Sequence, residues 1–214
     1  SYEEEPSQEF KIEEGCCITN VQYGEKYPNS YLDVYLTDQD PEHAPTYFFI
    51  HGGGNVWGDK QEGDPNGGDT GAGGLAWYIR QFMDAGYNVV SPNYALAPEY
   101  RYPTPILQLN DALAFLKRHG EEYGLNMQEI IIGGNSGGGQ MTGALICIQL
   151  NPEYAKAVGA EAVLEADKIK AAVFSSAMIN MYESYDTGDF GADFLFLQCG
   201  KAYYGYDLVN GKKE

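Results

Sequence analysis

The chain has 214 residues, 43% of them apolar and 14% aromatic, which is enough for one domain with a buried core and too apolar for a disordered chain. Its 31 acidic and 13 basic side chains give a formal charge of −18, which excludes nucleic acid and anionic membrane surfaces as natural partners, because a phosphate backbone would be repelled. No run of 18 apolar residues is present, so no membrane span is expected, and four cysteines in a chain of this length do not make a disulfide scaffold.

Residues 1 to 9 read as an acidic tail, and a start at Ser1 rather than methionine reads as processed or cut. Phe10 to Tyr23 and Tyr31 to Leu36 follow as two strands joined through Gly24, Pro28, Asn29 and Ser30, an antiparallel hairpin. The adjacent Cys16 and Cys17 point to opposite faces of the first strand. Tyr47-Phe48-Phe49-Ile50 is short and wholly apolar, as a strand buried on both faces must be. It runs directly into His51-Gly52-Gly53-Gly54 and a polar loop from Asn55 to Gly74. A helix then places Leu75, Ile79 and Phe82 on one face and stops at Gly86.

Tyr87 to Ser91 is the next strand, and Asn93 to Glu99 a loop. Thr104 and Pro105 cap a helix carrying Ile106, Leu109, Leu113 and Leu116, ended by Gly120. Ile130-Ile131-Ile132 is again a buried strand, leading through Gly133-Gly134-Asn135-Ser136-Gly137-Gly138 into a helix with Met141, Leu145 and Ile148 on one stripe. Cys147 falls on that apolar helix, and buried thiols are expected. Ala171 to Phe174 is the last clear strand, and a helix around Phe190 to Tyr203 is predicted in the Tyr-, Asp- and Gly-rich remainder. This alternation after a hairpin predicts an α/β sheet, parallel after an antiparallel start.

Two strand ends carry the candidate chemistry. Gly134 to Gly138 fits G-x-S-x-G, in which a serine sits on a sharp strand-to-helix turn with its hydroxyl exposed above a sheet. With 27 glycines in the chain about 0.1 such matches arise by chance, so the context carries the reading. That context is His51 to Gly54, a second glycine-rich strand end whose bare N–H groups suit a developing oxyanion. Trp57 just behind it is a candidate pocket wall or a packing aromatic. No phosphate cradle competes: Gln140 stands where a P-loop needs lysine, and Gly71, Gly73 and Ala76 match a loose dinucleotide pattern far from any strand end. Gly63 to Asp69 lacks the spacing and closing glutamate of a calcium loop. No metal and no cofactor are implied.

The base is the gap. No histidine follows Ser136; the three present are His43 in a loop, His51 in the glycine motif, where it shapes its own loop, and His119 in a last helical turn. Asp167, Asp186, Asp189, Asp193 and Asp207 are the later acid candidates.

Three segments in order, His51 to Gly54, Asn93 to Glu99 and Gly134 to Gly138, resemble the esterase/lipase branch of the α/β-hydrolase family, similar to hormone-sensitive lipase. Asn93, Ala95, Asn135 and Gly137 depart from that branch's usual Asp, Arg, Asp and Ala. The resemblance implies the α/β-hydrolase fold: a mostly parallel sheet with an antiparallel N-terminal hairpin and flanking helices. It also implies Ser136 as nucleophile, with the N–H groups of Gly53, Gly54 and Gly137 as oxyanion hole and His51, Gly52, Gly134 and Gly138 in support. The substrate implied is a small-molecule carboxylic ester, with short-chain acyl esters expected.

On the same resemblance, residues 10–179 correspond to the N-terminal part of the hydrolase domain and 180–214 to the start of a cap. The final strands, triad Asp and triad His are expected beyond the chain, leaving it poorly active alone. The alternative is a ligand-binding module on the same fold that does no chemistry.

Overall fold

The computed structural model describes residues 6–12, 15–62, 76–180 and 185–205. Its strands are β1 (Gln8–Ile12), β2 (Gly15–Gln22), β3 (Tyr31–Thr37), β4 (Pro45–Ile50), β5 (Asn88–Pro92), β6 (Asn126–Asn135) and β7 (Ile169–Ser175). They form one seven-stranded sheet in the order β1-β2-β3-β5-β4-β6-β7. The sheet is parallel from β5 through β4 and β6 to β7, and antiparallel from β5 back through β3 and β2 to β1.

The predicted first strand is in fact two. It breaks at Gly15, whose φ of +147° favours glycine, and a Cβ there would lie 1.8 Å from the Leu36 carbonyl oxygen. Strand β1 folds back on β2, and it starts at Gln8, inside the stretch read as tail. The predicted pairing of the second and third strands holds, with Cys17 opposite Tyr35.

Strand β4 lies inside the sheet between β5 and β6, and Tyr47 to Ile50 are fully buried. Its alternating side chains feed two cores. Phe48 and Ile50 join Ile106, Leu109, Leu113 and Leu116 of α2 (Thr104–His119) and Met141, Leu145 and Ile148 of α3 (Gly137–Leu150). On the opposite face Tyr47 and Phe49 pack with Ile79 and Met83 of α1 (Ala76–Asp84). Met83 takes the fully buried place expected for Phe82, which is half-buried; Leu75 lies outside the described residues. At the start of α2 the cap position belongs to Pro103, without a side-chain hydrogen bond, and Thr104 is already helical. At its end α2 stops at His119 with Gly120 as its cap, as predicted, and Gly120 leads on into a 3₁₀ turn ending at Tyr123.

Cys147 is exposed, against expectation: two residues beyond Leu145 a helix has turned past its buried stripe. Cys17 and Cys199 are buried, Cys16 is half-buried, and none of the four cysteines is in a disulfide. Helix α4 (Pro152–Val158) is capped by the Asn151 side chain. Helix α5 (Phe190–Tyr204) is capped by Asp189, which accepts from the Ala192 N–H at 2.8 Å. Strand β7 forms one edge of the sheet, with Lys170, Ala171, Ala172 and Phe174 exposed. No described helix is long and apolar enough to cross a membrane.

Candidate active site

Because β4 and β6 are parallel neighbours with Ile50 opposite Gly134, their carboxyl ends bring His51–Gly54 and Asn135–Ser136 to the same edge of the sheet. That edge is where open α/β sheets place their ligands. Ser136 takes φ +52° and ψ −116°, a strained conformation for a residue with a side chain, of the kind that costs about 1–3 kcal/mol. Its N–H donates to the Ser175 carbonyl at 2.8 Å, which ties the turn to the end of β7. Its hydroxyl has no hydrogen-bond partner among the described residues and does not cap α3.

The flanking glycines are required by contact. A Cβ at Gly134 would sit 2.6 Å from the Ile50 carbonyl oxygen; one at Gly138 would sit 2.1 Å from that oxygen and 2.4 Å from that of His51. The elbow therefore packs directly against the backbone at the end of β4. This brings the two sets of bare amides together: a Cβ on Gly137 would lie 3.0 Å from the Gly54 nitrogen. Among the described residues no loop or side-chain acceptor takes the N–H of Gly53, Gly54 or Gly137.

In front of Ser136 lies a cavity of about 270 Å³. Gly53, Gly54 and Asn135 floor it, Trp57, Met178, Leu195 and Phe196 give it apolar walls, and Cys199 and Glu62 complete it. Trp57 is half exposed at the rim.

His51 is wholly buried and does not line this cavity. Its ring stacks on Tyr94 at 4.2 Å, Nδ1–H donates to the Gly52 carbonyl at 3.0 Å, and Nε2 has no partner. Burial pushes its pKa down to about 4, so the ring is neutral at pH 7. His43 pairs with Asp40 at 3.0 Å and His119 with Glu122 at 2.8 Å, both on the surface. No imidazole of the chain lines the cavity.

The later acids are elsewhere too. Asp167 lies 3.7 Å from Lys168, Asp189 caps α5, Asp193 accepts from Thr187, and Asp186 is exposed. Asp207, like the Gly63 to Asp69 run and Gly71 and Gly73, lies outside the described residues.

Several site residues escaped the sequence reading. Glu62 accepts the Gly52 N–H at 2.6 Å and the Asn135 side-chain amide at 3.0 Å. Burial raises its pKa more than these two bonds lower it. Beneath the loop, Lys60 pairs with Asp33 at 3.3 Å, both nearly inaccessible, and the Lys60 N–H donates to the Asn93 side chain at 2.6 Å. Asn93 in turn donates to Asp59 at 2.9 Å, and the Tyr94 hydroxyl donates to the His51 carbonyl at 2.9 Å. Asn93 and Tyr94 thus hold the glycine loop from below. The available signal was the charged run Asp59-Lys60-Gln61-Glu62, a few residues past the glycine motif that ends a buried strand, with a lysine set between acids.

A sequence model of the BD-FAE family matches residues 32–191. An esterase of Gibberella moniliformis is 33% identical over 107 residues, which is 50% of this chain and 30% of that protein. An acetyl esterase of Salmonella typhi is 25% identical over 125 residues, 58% of this chain and 33% of that protein. The matched stretch thus spans about a third of each of these relatives. Among solved structures, esterase B of Lactobacillus rhamnosis superposes with a TM-score of 0.72 at 20% identity, covering 91% of this chain and 58% of that one. That likeness shows the α/β-hydrolase fold.

Proposed function

The chain belongs to the BD-FAE family of α/β-hydrolase type, and from that premise we propose that it carries the nucleophile and oxyanion hole of a carboxylic-ester hydrolase. The observation that carries the reading is the strained Ser136 beside the N–H groups of Gly53, Gly54 and Gly137, its hydroxyl and these amides having no loop or side-chain partner among the described residues. Ser136 Oγ adds to the acyl carbonyl, and the alcohol leaves to give an acyl-enzyme. Negative charge on the carbonyl oxygen is held by the three amides and the positive end of α3. Water then releases the acid.

Short-chain acyl esters fit best. The cavity of about 270 Å³ is at the small end of ligand pockets, which run from roughly 300 to 1,000 Å³, and its walls are apolar. The Salmonella relative's description as an acetyl esterase points the same way. In this reading residues 10–179 form the hydrolase core and residues from 180 onward begin a cap, since α5 supplies Leu195 and Phe196 to the cavity wall.

With no imidazole at the serine, both acylation and deacylation by this chain alone are slow. A site lacking one triad member keeps on the order of 10³–10⁴ over the reaction in water. An acyl group, once transferred, is therefore retained. Treated with p-nitrophenyl acetate, the chain is expected to accumulate an acetyl adduct on the peptide containing Ser136, found by mass spectrometry and absent from Ser136→Ala. An unmodified Ser136, or equal modification of other residues, overturns the reading. The missing imidazole is also what favours the second reading, a non-catalytic binding module, which predicts no adduct at any exposure time.

A further inference from the structure

Glu62 is the one carboxylate among the described residues that line the cavity. It reaches the site from neither motif. Its two oxygens point in two directions: Oε2 accepts the backbone N–H of Gly52, next to the proposed oxyanion amides, and Oε1 accepts Nδ2 of Asn135, next to Ser136. The residue is only 8% exposed. Burying a carboxylate this far is unfavourable unless its lone pairs are used; here each oxygen has a donor from a different loop, and the shorter bond has the length of a charge-assisted one.

No other hydrogen bond from a side chain joins these two segments among the described residues, apart from that between Asn55 and Gln140 at 3.2 Å on the far side of the turn. The relative position of the nucleophile and its amide donors is therefore set from one side by Glu62. We infer that Glu62 is a positioning residue that clamps the Gly52–Gly54 loop to the Asn135–Ser136 elbow and so sets the distance between nucleophile and oxyanion hole. The inference rests on the reading of Ser136 as the nucleophile. A shift of about 1 Å in such a constellation reduces rate by as much as 10²-fold.

The chemistry of the contact supplies its own test. Asn135→Asp alone sets two carboxylates against each other. Adding Glu62→Gln returns one donor and one acceptor to that contact, leaves an acceptor for Gly52, and restores the wild-type charge. Two readouts are taken on the 214-residue chain: phosphonylation of Ser136 by a fluorophosphonate, and hydrogen exchange at the Gly52 amide by NMR. Glu62→Ala and Asn135→Asp are each expected to slow phosphonylation about tenfold or more and to speed Gly52 exchange, with thermal midpoints moving by only a few degrees. The Glu62→Gln/Asn135→Asp pair is expected to recover both to within about threefold.

A purely structural role would move the melting temperature and the phosphonylation rate together and would show no rescue. Wild-type rates in Glu62→Ala, or a double variant no better than Asn135→Asp, overturn the inference. Should Ser136 of wild type take no phosphonyl group even on prolonged exposure to excess reagent, the reading of Ser136 as nucleophile falls, and Gly52 exchange across the same variants still decides the clamp.

Discussion

The two glycine-rich strand ends meet at one site but are held by opposite means. The end of β4 is fixed by side chains: Glu62 takes the Gly52 N–H, His51 Nδ1–H takes the Gly52 carbonyl, and Tyr94 takes the His51 carbonyl. The end of β6 is fixed by backbone: Ser136 N–H on Ser175, and Gly134 and Gly138 pressed on the Ile50 carbonyl where no Cβ fits. On the proposed reading, the amides that would face a forming charge are adjusted by polar struts, whereas the serine turn is held mainly by steric exclusion, with Glu62 bridging the two. The first arrangement should fail gradually and with pH, and the second abruptly and independently of pH.

The largest effect is expected at the elbow. Gly138→Ala places a methyl 2.1 Å from one backbone oxygen and 2.4 Å from another, neither of which can rotate away. A loss of about 4 kcal/mol or more in urea unfolding, or no folded protein, is expected. A loss under about 1 kcal/mol would show that the turn can yield and would erase the contrast.

Next comes His51. Its folded pKa of about 4 lies below the ordinary value, so the unfolded chain takes up the proton first as pH falls. Stability from this group is complete above about pH 6.5 and is lost as pH drops towards 4, by about 3 kcal/mol. Glu62, with a raised pKa, acts with the opposite sign: its share is present at low pH and lost as pH rises above the ordinary glutamate value. The His51 contribution is therefore isolated by difference. Urea midpoints of wild type and His51→Gln, followed from pH 7 to 4.5, should converge on acidification; parallel curves would remove the buried neutral imidazole from the account.

The smallest effect belongs to a single strut. Tyr94→Phe removes the hydroxyl from the His51 carbonyl and keeps the ring stacked on the imidazole, so a loss of about 1 kcal/mol is expected, read by the same unfolding experiment. It should also speed exchange at Gly52, and an elbow amide such as Gly138 should remain unaffected.

How much of this was legible follows from range. The apolar run Tyr47 to Ile50, the stripe of α2 and the glycine spacing around Ser136 are local patterns, and they led to the central strand, the flanking helix and the elbow. The resemblance of three short segments led to the fold. What the sequence did not disclose depends on partners distant in the chain. The need for glycine at position 15 comes from the Leu36 carbonyl, 21 residues on, and Lys60 is buried because Asp33 waits beneath it. Glu62 read as one more charge in a polar loop because its acceptor role needs Gly52 and Asn135, 10 and 73 residues away. Cys147 was misplaced for a different reason: an apolar residue on an apolar helix gives no signal of which side it faces.

The cavity wall has one further consequence. Ser136 and the neighbouring glycine amides are placed by main chain and by polar struts, whereas the side chains of Trp57, Met178, Leu195 and Phe196 line the cavity with apolar surface. Substitutions in that wall can change which acyl groups enter without moving the nucleophile. If the proposed hydrolase reading holds, reactivity and selectivity are inherited on separate parts of the chain, and a lineage with this architecture can explore new esters one wall residue at a time while its chemistry stays intact.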